Sequence, residues 1–171
     1  HISALENYDR PEIAAEELPA DAYRDDVAAN LAVAERWVTE HSDTEFDFFL
    51  PPYSILFWDK VIREGRTEAV FAAIRQAGQT LLQYDNVKFY GYLMDPEIVT
   101  NLDNYCDYIH HSGGVCREIL AMLQREEGRL TEENLEETLA NWREFVVHYD
   151  YDQFWDERFW IQWNAEHAAA P

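Results

Sequence analysis

Two short aromatic stretches, TEFDFFL at residues 44–50 and NVKFYGYL at residues 86–93, set the tightest limit on what this chain can fold into. Each is bounded by turn formers and is too short for a stable helix, so each reads as a buried strand. Between them lie two helical patterns, and a connection that long joins parallel strands. The first, YSILFWDKVIREG at 53–65, is closed by Gly65. The second, at 67–84, turns Val70, Phe71, Ile74, Leu81 and Leu82 inward. Upstream, Tyr23, Val27, Leu31, Ala34 and Val38 form one apolar stripe on a helix from Asp21 to about residue 41. Asp21, Asp25 and Asp26 occupy its first turns, where the helix dipole favours anions. Downstream, residues 95–105 read as loop with one helical turn, followed by helices at 114–125 and 131–148. Ser112 is the expected N-cap of the first, and Thr131 of the second, with Asn134 three residues on.

This order is a βα repeat, which predicts an α/β fold with a parallel sheet and helices on both faces. Two strands make a poor sheet, because parallel strands need neighbours and cover. The chain is therefore expected to be the second half of an α/β domain, completed by a missing N-terminal half or by a second copy. Residues 1–20, with Pro11 and Pro19, read as an irregular lead-in. Residues 21–130 carry the α/β portion, and 131–171 a helical, aromatic-rich extension. Trp155, Phe159, Trp160 and Trp163 in that extension are expected to clamp onto the domain's own surface or onto a segment absent from this chain.

With 171 residues and 47% hydrophobic content, one core is affordable. The formal net charge of −21 repels phosphate backbones and anionic membranes, which excludes nucleic acid as a partner. The acids are interspersed with apolar residues, as on a solvated face. No run of about eighteen apolar residues exists to span a membrane. The chain opens on His1 rather than Met, so it is expected to be a processed product or fragment whose leader or anchor has gone.

In an open parallel sheet, ligands bind at the carboxyl ends of the strands. The segment PPYS follows the first strand and NYCDYIHHSGG, residues 104–114, follows the second. Strand order thus gathers Tyr53, Ser54, Asp107, His110 and His111 on one rim. An Asp three residues before a His can orient that imidazole as a general base, and a serine hydroxyl is a poor nucleophile until such a base takes its proton. Tyr53, Ser54 and His111 are expected to line the pocket. Ser54 reads as a helix cap, since no Gly beside it permits a nucleophile elbow. Adjacent histidines point apart, so Asp107, His110 and His111 are not expected to ligate a metal, and no cofactor is expected. Cys106 and Cys116 either form a disulfide bracketing the His pair, if the protein is exported, or stay as two reduced thiols; spacing does not decide.

The segments FFLPPYSILFWD, LLQYDNVKFYGY, EIVTNLDNYCDYIHHS and NWREFVVHYDYD resemble the C-terminal half of bacterial SGNH/GDSL-like proteins. These are similar to membrane-tethered, extracytoplasmic proteins of teichoic-acid D-alanylation and alginate acetylation. The resemblance implies a three-layer, flavodoxin-like parallel sheet, only its C-terminal half in this chain. It implies a serine esterase or O-acyltransferase acting on a cell-wall or exopolysaccharide polymer, with His110 as base and Asp107 as its partner. The family's nucleophilic Ser, in a Gly-rich turn, is absent here and would lie upstream, leaving this chain inactive alone. The alternative is a non-catalytic scaffold or polymer-binding module of the same fold. Location would be extracytoplasmic, through an N-terminal tether absent from this chain.

Overall fold

The structure, a computed structural model, describes residues 2–167. A short helix α1 (Ser3–Glu6) precedes α2 (Arg24–Glu40), β1 (Phe46–Phe49), α3 (Ile55–Arg63), α4 (Thr67–Leu81) and β2 (Val87–Tyr90). Then come α5 (Pro96–Val99), α6 (Gly113–Gln124), β3 (Arg129–Leu130), α7 (Leu135–His148) and α8 (Glu157–His167). The strands form one sheet in the order β1-β2-β3. β1 runs parallel to β2, with Phe46 opposite Val87 and Phe49 opposite Tyr90, whereas β3 is antiparallel to β2.

This corrects the expected three-layer parallel sheet: the molecule is helix-rich around a small mixed sheet. The antiparallel strand arises from a tight reversal after α6. Glu126 (φ 53) and Gly128 (φ 70) both take left-handed backbone, where only glycine is unstrained. That reversal returns Leu130 to face Phe89, and Gly91 N–H donates to Gly128 C=O at 3.0 Å. A two-residue strand has no periodicity to read.

Most of the core lies on one side of the sheet. α3 buries Ile55, Leu56, Trp58 and Val61; α4 buries Phe71, Ile74 and Leu81; α7 buries Leu135, Leu139, Trp142 and Val146 at three- and four-residue spacing. Trp58 packs edge-on to Trp142 and against Phe71, at ring separations of 6.0 and 5.3 Å. On the opposite side, Val115, Ile119 and Met122 of α6 cover Tyr90 and Tyr92. In the lead-in, Ile2, Ala4 and Tyr8 join the main core. In the C-terminal extension Phe154 is buried, and Phe159, Trp160 and Trp163 pack against the domain's own core.

Helix starts follow local chemistry. Asp95 caps α5, its Oδ1 accepting from the Glu97 and Ile98 amides, with Pro96 in the first turn. Thr131 and Asn134 exchange reciprocal hydrogen bonds, Thr131 N–H to Asn134 Oδ1 at 2.8 Å and Asn134 N–H to Thr131 Oγ1 at 3.3 Å. The helix they introduce begins at Leu135, not at Thr131. Ser112 and Ser54 both stand at cap positions, yet neither hydroxyl makes a capping hydrogen bond.

Candidate functional site

The loop after β2 is held by three separate devices. Tyr105 and His111 form an isolated antiparallel bridge, and Cys106 N–H donates to His110 C=O at 2.8 Å. The buried Tyr105 hydroxyl donates to Pro52 C=O at 2.8 Å, which fixes the loop to the segment after β1. Ser54, fully buried, donates through both its amide and its hydroxyl to Tyr108 C=O, at 3.1 and 2.8 Å. Ser54 thus braces the loop from beneath; its hydroxyl is committed, and it is not part of the cleft lining.

Asp107 organises the turn. Its Oδ1 accepts from the Ile109 and His110 amides at 2.8 and 2.7 Å, an Asx turn. Its Oδ2 lies 2.7 Å from His110 Nδ1. Partial burial pulls the Asp107 carboxyl upward, but hydrogen bonds from the His110 amide, the His110 ring and the Ile109 amide outweigh it and hold the group below the usual aspartate range. Stability from this carboxylate is therefore present above its ordinary pKa and is lost as pH falls through the depressed value. The His110 side chain is 74% exposed, so the pair adds little to folding. Its consequence is orientation: with Nδ1–H donated to Asp107, neutral His110 presents Nε2 as an acceptor.

Beside it lies an open cleft of about 310 Å³, lined by Pro51, Tyr53, Ile109, His110 and His111. Tyr53 is braced against Phe57, with ring centroids 5.0 Å apart. The fold therefore brings together Tyr53, His110 and His111, with Asp107 behind His110. Pro51 and Ile109 were missed, and only their places flanking the two loops signalled them. A larger concavity, about 460 Å³, lies elsewhere, between α2 and α4. Its charged residues Arg24 and Arg75 are already paired with Asp21 and Glu136, so it offers less chemistry than the dyad cleft.

Cys106 and Cys116 stand as free, exposed thiols. Cys116 Sγ lies 3.6 Å from His111 Nδ1. Among the described residues no three His, Cys, Asp or Glu side chains converge as a metal site. Nor is any described helix long and apolar enough to cross a membrane.

A second polar constellation escaped the sequence reading. Asp59, 2% exposed, accepts from Tyr8 Oη at 2.9 Å and from Arg10 Nε and Nη2 at 2.8 and 3.1 Å. Arg10 also reaches Asp152 Oδ1 at 2.7 Å and lies 4.1 Å over the Trp155 ring. Burial and the Asp59 carboxylate both push the Tyr8 phenol pKa upward. An acid inside the apolar run ILFWDKVI was the available signal.

The chain is similar to UPF0735 ACT domain-containing proteins of Lacticaseibacillus casei and Lacticaseibacillus paracasei, at 24% identity over 90 residues in each case. The similarity covers 53% of this chain and 62% of each relative, so the chain spans less than two thirds of their length. No family model matches, and no solved structure matches. These findings overturn the resemblance to SGNH/GDSL-like proteins: the relatives carry an ACT name, and the sheet is not the one that resemblance implies. The expected esterase or O-acyltransferase and the scaffold of the same fold fall with it.

Proposed function

We propose that the chain is a small-molecule-binding domain whose ligand seats in the cleft of Pro51, Tyr53, Ile109, His110 and His111. The observation that carries this reading is the 2.7 Å contact of Asp107 Oδ2 with His110 Nδ1 at the edge of that cleft. A carboxylate spent on orienting an exposed imidazole contributes little to folding and aims one acceptor at the cleft. Tyr53, Pro51 and Ile109 supply apolar wall, and few placed polar groups on such a wall suit a small organic ligand. The net charge of −21 disfavours an anion. The ligand is therefore neutral or cationic, with an O–H or N–H donor for His110 Nε2 and an apolar flank for Tyr53.

A panel of neutral polyols, amino alcohols and amines, screened by protein-observed NMR, tests this. Binding compounds should shift the signals of His110, His111 and Tyr53. His110→Ala should weaken their binding by up to about 10-fold, the loss of one hydrogen bond. Compounds that shift only residues 72–79 of the α2–α4 groove would contradict the assignment.

A further inference from the structure

The outer edge of β1 is open. Phe46 N–H donates to Asn86 C=O and Leu50 N–H to Tyr90 C=O, both at 2.9 Å. In a parallel ladder alternate residues turn both backbone groups toward the same neighbour. Residues 46, 48 and 50 therefore face β2, and the N–H and C=O of Glu45, Asp47 and Phe49 face away from the sheet. Among the described residues no strand lies on that side. Phe46 and Phe48 pack against the core, while Phe49 is 41% exposed. Folded proteins blunt such edges with short strands, charged side chains, proline, bulges or a covering element. β1 is four residues long and carries the charge of Asp47, but its register is regular and holds neither proline nor lysine.

We infer that this edge receives an extended strand from a partner polypeptide that carries Lys or Arg beside apolar residues, extending the sheet by one strand. Charge selects the occupant. Asp43 and Asp47 are exposed, and Glu45 shares Lys88 with Glu126, at 3.0 and 2.8 Å. A second copy would set the same carboxylates against one another within a pair of chains that each carry −21. A basic strand neutralises them, with main-chain hydrogen bonds supplying affinity and alternate side chains supplying specificity. The surface is distinct from the His110 cleft and does not depend on it.

The probe is a peptide of alternating Val and Thr with Lys at both ends, compared with a twin ending in Glu. Amide hydrogen exchange of the full chain is followed by NMR. The Lys peptide should slow exchange at Asp47 and Phe49 at least about tenfold while Phe48, already bonded to β2, changes little. The protection should weaken at about 0.5 M salt. Asp47→Pro removes an outward donor without touching the β2 ladder and should abolish binding. Phe49→Lys keeps the backbone and should narrow the preference for the Lys peptide over the Glu peptide. The inference is overturned by no protection from the Lys peptide, by equal protection from both peptides, or by protection that rises with protein concentration alone, which would make the occupant a second copy.

Discussion

Asp59→Ala should destabilise the chain by about 3–5 kcal/mol, the range for breaking a buried ion pair from one side. The carboxylate accepts three hydrogen bonds from two residues of the N-terminal segment while sitting on α3. Its loss strands Arg10 Nε and Nη2 and the Tyr8 hydroxyl without the acceptor they share. Arg10 also ties in Asp152 and Trp155, so residues 2–18 and the segment around 150–160 should loosen together. Urea unfolding reads the energy, and limited proteolysis reads which segment opens first. Asp152→Ala is the control: that carboxylate is 83% exposed and should cost under about 1 kcal/mol. A cost for Asp59→Ala as small as that of the control would mean that Arg10 does not fasten the ends of the chain.

Trp58→Ala should be of similar size, about 3–5 kcal/mol, for a different reason. Trp58 is fully buried where α3, α4 and α7 meet, in contact with Phe57, Phe71 and Trp142. Alanine leaves a cavity among rigid rings that cannot collapse around it. Trp58→Phe should cost well under half as much, because the indole N–H it removes has no hydrogen-bond partner. Equal losses from the two substitutions, measured by denaturant titration, would show that the packing argument misplaces the strain.

What the sequence disclosed was local. The apolar spacing of 67–84 placed α4 within a few residues of its observed span, Thr67–Leu81. The stretches 44–50 and 86–93 enclosed β1 and β2. Asp107 and His110 were legible because a three-residue separation lets a carboxylate cap its own turn and meet the following imidazole. The same fact explains why NLDNYCDYIHHS misled as a sign of family: it encodes a self-contained turn that many folds can host. Contacts distant in sequence stayed hidden. Arg10 and Asp59 are 49 positions apart, and Ser54 and Tyr108 are 54 apart. Nothing in either segment names its partner. β3 was illegible because its two residues are positioned by the Glu126–Gly128 reversal, not by a strand pattern of their own.

The central claim is that Asp107 fixes which nitrogen of His110 carries the proton. Side-chain nitrogen NMR of histidine-labelled protein, at a pH where the ring is neutral, measures this directly. The prediction is a proton held on Nδ1 and a bare Nε2, with the two tautomers mixing once Asp107→Ala removes the acceptor. A ring protonated mainly on Nε2 in the unaltered chain, and indifferent to that substitution, would contradict it.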